Sequence, residues 1–121
     1  MRVLIADDSQ VVRERLISML SDFHEIEVIG EAKDSSEAIE AICRLKPDVV
    51  ILDIRMPGGS GIDVLRAIKK DHQAMPKVIM LTNFPYSQYR KKCMDAGADF
   101  FFDKSREFEN VAQVLRHHMG F

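Results

Sequence analysis

The sequence predicts an α/β fold in which five parallel strands form one sheet and five helices cover both of its faces. Short apolar runs alternate along the chain with longer segments whose apolar residues recur at helical spacing. Three of the runs show no polar alternation, as expected of parallel strands that are buried on both sides. No linker, repeat or low-complexity stretch interrupts the 121 residues, so we expect a single domain over residues 1–121.

The first four elements alternate between strand and helix. Residues 3–6 are an apolar run and predict the first strand, which is followed by a helix over residues 9–22. The second strand, residues 26–32, alternates more and is therefore placed at a sheet edge. A helix follows Asp34, a favoured N-cap residue, and ends at Pro47, which cannot continue it.

The remaining elements repeat this alternation. Residues 49–52 and 78–81 are apolar throughout and predict the third and fourth strands. Proline and glycine mark a loop at 56–60, and the helix between these two strands begins at about Gly61. The last elements are a helix over residues 87–96 that ends at Gly97, a strand over residues 100–102 and a helix over residues 107–119.

The strand order follows from the rules for connections between parallel strands. Crossovers are right-handed in nearly all proteins, which leaves few arrangements. We predict the flavodoxin-like order 2-1-3-4-5, in which ligands bind at the carboxyl ends of strands 1 and 3.

The charge balance excludes several classes of function. With 17 Lys and Arg against 19 Asp and Glu, the formal net charge is −2, which is not the basic excess typical of proteins that bind nucleic acid or anionic membranes. No apolar run approaches the ~20 residues that a membrane helix needs, and a strand that begins at Arg2 leaves no room for a signal peptide. We therefore expect a cytoplasmic protein that contacts neither nucleic acid nor membrane directly.

Polar residues follow the predicted strands. Asp7 and Asp8 follow the first strand, Asp53 the third, Thr82 the fourth, and Lys104 comes shortly after the fifth. Since parallel strands end at one edge of a sheet, these side chains should lie together. Two carboxylates about 5 Å apart repel by roughly 3 kcal/mol at an effective dielectric of about 20. A divalent cation would relieve this repulsion, and an all-oxygen cluster suits Mg²⁺.

This combination of side chains suits phosphoryl transfer to a carboxylate. An aspartate can act as a nucleophile and form an aspartyl phosphate, while Mg²⁺, a lysine and a threonine hydroxyl stabilise the phosphoryl oxygens. Each residue alone has an ordinary structural explanation: Asp8 as an N-cap, Asp53 in a turn, Thr82 bonded to nearby backbone, and Lys104 in solvent. Their joint placement at one edge favours the functional interpretation.

The chain resembles the receiver domains of bacterial two-component response regulators over essentially its whole length. Any one matching segment is weak, but all of them in this order and at these intervals are highly specific. The segments are Leu4-Ile5-Ala6-Asp7-Asp8-Ser9, Asp53-Ile54-Arg55-Met56-Pro57 with Gly61, Leu81-Thr82, Ala96-Gly97-Ala98-Asp99, and Lys104.

The resemblance implies a phosphoacceptor and a metal site. Asp53 would accept the phosphoryl group. Asp8 and Asp53 would bind Mg²⁺ together with the backbone carbonyl of Arg55, and Asp7 would act mainly through ordered water. The domain would not be an enzyme in the usual sense, because it would assist only its own phosphorylation and dephosphorylation.

The resemblance also implies residues that respond to the phosphoryl group. Thr82 and Lys104 would contact it, and the ring of Phe101 would move inward when Thr82 shifts towards it. Three residues depart from the common pattern of the family. Asn83 stands where a small residue is usual, Ser105 where many members have proline, and Phe101 lacks the hydroxyl of the commoner tyrosine. None of these changes removes a residue that phosphorylation needs.

The implied partners lie upstream and downstream of the phosphorylation. The donor would be a sensor histidine kinase or a histidine phosphotransfer protein. The output would be a downstream protein or a phosphorylation-dependent dimer, bound at the face of the fourth helix, fifth strand and fifth helix, and no output domain is expected within residues 1–121. We expect this face to include Tyr86, Tyr89, Arg90, Phe101, Asp103 and Gln113.

Three alternatives remain at this point. A receiver-like module that only binds partners would not need the complete acidic set. An aspartyl-phosphate hydrolase would carry an Asp-x-Asp motif, but Arg55 stands two residues after Asp53. A flavin-binding flavodoxin would need glycines in the loop after the first strand, which is acidic here.

Overall fold

The elements of the chain follow the predicted alternation of strands and helices. The computed structural model describes residues 1–69 and 76–117. None of the helices among these residues combines the length and the apolar character that a membrane crossing requires. In chain order the elements are β1 (Arg2–Ala6), α1 (Gln10–Leu20), β2 (Glu27–Ala32), α2 (Ser35–Leu45), β3 (Val49–Leu52), β4 (Arg55–Met56), β5 (Gly59–Ser60), α3 (Gly61–Lys69), β6 (Lys77–Thr82), α4 (Ser87–Asp95), β7 (Phe100–Asp103) and α5 (Asn110–His117).

Five parallel strands form the main sheet in the order β2-β1-β3-β6-β7. This confirms the predicted order 2-1-3-4-5, since β6 and β7 are the fourth and fifth predicted strands, and it confirms β2 as an edge strand. Ala6 of β1 pairs with Leu52 of β3, and Leu52 pairs in turn with Met80 of β6. Thr82 pairs with Asp103 of β7. This register brings the residues that follow the strands to one edge of the sheet.

Alternate residues of the central strands face two different layers of helices. In β1, Leu4 and Ala6 pack in the layer that contains α2, α3 and α4. Val3 and Ile5 pack in the opposite layer, which contains α1 and α5. Because both faces are covered, every position of these strands favours an apolar residue. Burial of each larger aliphatic side chain stabilises the fold by about 1.5–3 kcal/mol.

Capping residues determine where the first two helices begin and end. Asp34 caps α2 as predicted, since its carboxylate accepts a hydrogen bond of 2.8 Å from a first-turn amide. At α1 the N-cap is Ser9, whose hydroxyl accepts a first-turn amide at 3.3 Å, so the interpretation of Asp8 as the cap is wrong. Helix α2 ends at Leu45, and its C-cap Lys46 adopts the left-handed conformation with φ of 49° directly before Pro47.

Two segments differ from the prediction in detail. The loop at 56–60 contains part of a short antiparallel ladder, β4 with β5, and strands of two residues carry no periodicity that a sequence can reveal. The last helix begins at Asn110 and not at residue 107. The reason is that the Glu107 amide and carboxylate both bond back to the backbone of Asp103, which holds this segment in turns. The predicted end of this helix, Met119, lies outside the described residues.

Candidate functional site

The polar residues predicted to follow the strands meet at one edge of the sheet. Asp7 follows β1, Asp53 follows β3, Thr82 ends β6 and Lys104 follows β7. All four residues are buried, whereas Asp8 beside them is exposed. Charged side chains are rarely buried unless they are paired, so the contacts among these residues determine what the cluster can do.

Lys104 joins two of the aspartates. Its Nζ lies 2.6 Å from Oδ2 of Asp7 and 3.1 Å from Oδ2 of Asp53. Burial works against the ammonium, but the hydrogen bond to Asp7 and the charges of both carboxylates outweigh burial and raise the pKa of Lys104. The lysine therefore places a positive charge between two carboxylates, and the interpretation of Lys104 as a solvated residue is wrong.

The Asp53 carboxylate is held on both of its oxygens. While Oδ2 accepts Lys104, Oδ1 accepts the backbone amide of Ile54 at 2.8 Å. Burial is the largest influence on this group and raises the pKa of Asp53 to about 6, although the Lys104 charge lowers it and the Asp7 charge raises it further. A buried carboxylate with a raised pKa and a lysine partner is typical of a functional site.

Thr82 is tied to the backbone on either side of the site. Its Oγ1 accepts the amide of Phe84 at 2.9 Å, and its carbonyl accepts the amide of Lys104 at 2.8 Å. The structural interpretation of Thr82, a hydroxyl bonded to nearby backbone, is therefore confirmed. A hydroxyl that accepts one hydrogen bond can still donate its own proton, so this contact leaves the Thr82 hydroxyl able to act as a donor.

Three carboxylates form the candidate metal site. One oxygen from each of Asp7, Asp8 and Asp53 lies within 4.8 Å of the other two. The donors are all oxygens, and three carboxylates outnumber the single lysine among them, so the set fits the hard dication Mg²⁺. The exposure of Asp8 leaves one side of this set open to solvent, which suits an ion that keeps several waters.

Arg55 and Phe84 border the site as a stacked pair. The guanidinium carbon of Arg55 lies 4.1 Å from the centroid of the Phe84 ring. Arg55 therefore directs its charged side chain to the loop after β6, where Thr82 ends the strand. The role of its backbone carbonyl as a metal ligand stays a prediction.

The predicted switch residue Phe101 is buried beneath Arg90. The Arg90 guanidinium carbon lies 4.9 Å from the ring centroid, and Nη2 donates to the Phe101 carbonyl at 3.4 Å. Phe101 and Asp103 are both buried and add little to the predicted output face, which corrects that part of the residue set. Of the other predicted residues, Tyr86, Arg90 and Gln113 are exposed and Tyr89 is half-buried.

Arg13, which the sequence analysis did not single out, and Gly61, which it named only as a helix start and as part of the family motif, both support the site. Arg13 donates from Nη1 to the carbonyl of Asp7 at 2.7 Å and pairs through Nε with Glu31 at 3.0 Å. The sequence feature that could have identified Arg13 is its position near the start of α1, because the helix dipole disfavours a positive charge there. A β-carbon at Gly61 would overlap the carbonyl oxygen of Asp53, so only glycine fits there. The sequence does not reveal this requirement for glycine, because it arises from the close packing of the loop.

The fold and the site together define a class of signalling domain. A flavodoxin-like sheet with an acidic cluster and a lysine at its carboxyl edge is the arrangement that the sequence led us to expect for a receiver. The family model described as the response regulator receiver domain matches residues 3–116. The chain belongs to this family, whose members act in two-component signal transduction.

Two relatives and one solved structure illustrate the likeness. The chain is 39% identical over 119 residues to an uncharacterized response regulatory protein of Vibrio cholerae, covering 95% of this chain and 48% of that protein. It is 36% identical over 121 residues to protein-glutamate methylesterase/protein-glutamine glutaminase 1 of Methanospirillum hungatei, covering 96% of this chain and 35% of that protein. The crystal structure of a DNA-binding response regulator of the LuxR family from Staphylococcus aureus matches with a TM-score of 0.87 and 30% identity, over 95% of each chain. The chain thus spans about half or less of the length of these curated relatives.

Proposed function

We propose that Asp53 accepts a phosphoryl group from a phosphohistidine in a Mg²⁺-dependent reaction. The observation that carries this proposal is the placement of Asp53: a buried carboxylate bonded to Lys104 at 3.1 Å, within 4.8 Å of ligand oxygens of Asp7 and Asp8. A buried acidic cluster with one lysine gains little as a structural feature, because burying charges costs free energy. The same cluster is well suited to hold a metal ion and a transferring phosphoryl group.

The proposed step is a direct transfer of the phosphoryl group from the donor histidine to Asp53. An oxygen of the Asp53 carboxylate attacks phosphorus, the N–P bond of the phosphohistidine breaks, and the electron pair of that bond stays on the imidazole of the donor. The Lys104 ammonium and the Thr82 hydroxyl donate to phosphoryl oxygens. Bound Mg²⁺ would supply further positive charge beside these oxygens. Asp8 and Asp53 would hold the ion together with the Arg55 carbonyl, with Asp7 acting through water.

The proposed output is a change of the surface around α4. Phosphorylation would draw the Thr82 hydroxyl towards the phosphoryl group, away from the Phe84 amide that it now accepts, and the Phe101 ring would respond. The partner would be a downstream protein or a second copy of the chain, bound on the face of α4, β7 and α5. A protein with these partners works in the cytoplasm, and the domain itself turns over no other substrate.

Intact-mass measurement tests the proposal. The purified chain is incubated with acetyl phosphate in Mg²⁺ or in EDTA, beside Asp53→Asn and, as a matched control, Asp22→Asn on the exposed surface. We expect one added phosphoryl group in Mg²⁺ for the wild-type chain and for Asp22→Asn, and none for Asp53→Asn. A chain that no small donor and no histidine kinase can phosphorylate would instead be a receiver-like binding module.

A further inference from the structure

The turn that carries Lys104 is held by a set of hydrogen bonds centred on Asp103. The Asp103 carboxylate Oδ1 accepts the Ser105 amide at 2.9 Å and the Ser105 hydroxyl at 2.8 Å. The backbone of Asp103 is bonded in both directions to Glu107, through its amide at 3.1 Å and through its carbonyl at 2.8 Å. The residues on both sides of Lys104 are therefore fixed.

These contacts do not belong to the acidic site itself. The Asp103 carboxylate accepts hydrogen bonds from Ser105, whereas the Lys104 ammonium pairs with Asp7 and Asp53. The bonds from Ser105 lower the pKa of Asp103, which keeps its carboxylate ionised and accepting at neutral pH. Proline, common at position 105 in the family that the chain resembles, has no amide to donate, so this bond depends on the residue present here.

Lys104 needs such support because its side chain is long and flexible. A lysine side chain loses much rotamer entropy when it is held in one conformation, and Nζ lies here 2.6 Å and 3.1 Å from two carboxylates. Its α-carbon must stay in place for Nζ to reach a phosphoryl oxygen on Asp53. The Lys104 amide donates to the Thr82 carbonyl at 2.8 Å, and the turn that follows fixes the direction in which the side chain leaves the backbone.

We propose that Asp103 and Ser105 are positioning residues, which fix the turn after β7 and thereby hold the Lys104 ammonium at the phosphoryl-acceptor site. This inference rests on the proposed phosphorylation of Asp53. Neither residue touches the phosphoryl group. They act through Lys104 only, so their loss should slow the transfer and leave the metal ligands unaffected.

Four chains test the inference: Ser105→Ala, Asp103→Ala, the double variant, and Ser21→Ala as a matched control. Ser21 also donates a hydroxyl hydrogen bond of 2.8 Å, to the carbonyl of Ser18, but far from the site. The phosphorylation rate with acetyl phosphate and the Mg²⁺ dissociation constant from calorimetry are measured for each, with urea unfolding as the stability readout.

We expect the phosphorylation rate to fall about threefold in Ser105→Ala and about tenfold in Asp103→Ala, because small displacements of a catalytic group cost large factors in rate. The double variant should match Asp103→Ala, since both Ser105 bonds end on the Asp103 carboxylate. The Mg²⁺ dissociation constant of each variant should equal that of the wild-type chain or fall below it, because a less firmly held Lys104 competes less with the ion for the carboxylates. Ser21→Ala should match the wild-type chain.

The outcomes separate this inference from the proposed function. A wild-type chain that is phosphorylated on Asp53 beside variants of equal rate leaves the function standing and overturns the positioning role. Rate, Mg²⁺ affinity and stability that fall together in Ser105→Ala show a merely structural role and also overturn it. A wild-type chain that is never phosphorylated contradicts both. If Asp103→Ala does not fold, the rate and metal affinity of Ser105→Ala alone give the answer.

Discussion

The carboxyl edge of the sheet and the surface of α4 are built in opposite ways. At the edge, Asp7, Asp53 and Lys104 are buried and each is held by named hydrogen bonds. On α4 the single buried residue is Cys93, while Tyr86 just before the helix is 55% exposed and Met94 is 41% exposed. The proposed phosphoryl transfer needs fixed geometry at the edge, whereas the fold places few constraints on the α4 surface. The difference teaches that substitutions on α4 should be tolerated where substitutions at the edge are not.

The largest effect should come from Gly61 at the edge. In Gly61→Ala the new methyl group would overlap the Asp53 carbonyl, which is backbone and cannot move aside. We expect a loss of about 3 kcal/mol in the free energy of unfolding, measured with urea. Gly30→Ala is the matched control: its methyl meets only the side-chain ends of Leu45 and Leu4, so about 1 kcal/mol is expected. Equal losses would contradict a special need for glycine at the site.

Lys104→Met should destabilise the chain nearly as much. It leaves the buried carboxylates of Asp7 and Asp53 without their counter-charge, and breaking a buried pair costs about 3 kcal/mol. Because Mg²⁺ can replace that charge, unfolding in Mg²⁺ should recover part of the loss seen in EDTA. The contrast is the ion pair of exposed Lys77 with half-buried Asp99, 3.9 Å apart, and Lys77→Met should lower the free energy of unfolding by less than about 1 kcal/mol with or without the ion. A loss in Lys104→Met that is equal in both conditions would speak against a metal site.

Asp8→Asn should separate metal binding from stability. Asp8 is exposed, so its change should alter the free energy of unfolding without metal by less than about 0.5 kcal/mol. It removes one of three carboxylates from the candidate metal site, and we expect the Mg²⁺ dissociation constant from calorimetry to rise about tenfold. Asp22→Asn serves as the control with unchanged affinity. Unaltered Mg²⁺ binding in Asp8→Asn would remove Asp8 from the ligand set.

The smallest effects are expected on the α4 surface. Tyr86→Ala and Met94→Ala should each change the free energy of unfolding by less than about 0.5 kcal/mol, because both side chains are exposed. In both variants, phosphorylation of Asp53 should proceed at the wild-type rate.

Cys93→Ser on the same helix is the contrast to these exposed sites. It should lower the free energy of unfolding by about 1–3 kcal/mol, since it buries a hydroxyl in an apolar layer. A site that slows when Tyr86 or Met94 is changed would show that the two regions are less separate than the structure indicates.

The sheet and its carboxyl edge were predictable because each strand carries its own signal. Runs such as residues 3–6 and 49–52 are apolar throughout, and the residues after them are charged, so strand order alone brings Asp7 and Asp53 together. The strand ends and the N-cap at Asp34 could be predicted for the same local reason, as could the end of α4 near Gly97, which follows the C-cap Ala96 and has a φ of 108°.

The rest depended on contacts that sequence patterns do not contain. Ser9 and not Asp8 caps α1, because the extended backbone at Ser9 places its hydroxyl where it accepts the Val12 amide. Residue types alone do not reveal this conformation. The late start of α5 comes from Glu107 bonding back to Asp103, a contact with no periodic signature. The burial of Phe101 and Asp103, which removes them from the predicted output face, follows from packing with Arg90 and from the turn at Ser105.

Chemical trapping of the aspartyl phosphate tests the central claim most directly. The chain is treated with a phosphohistidine donor in Mg²⁺ or EDTA, reduced with borohydride, which converts an aspartyl phosphate to homoserine, and mapped by peptide mass spectrometry. The account predicts homoserine at residue 53, only in Mg²⁺, with Asp7 and Asp8 unchanged. Homoserine at residue 7 or 8, or labelling that leaves Asp53 intact, would contradict it.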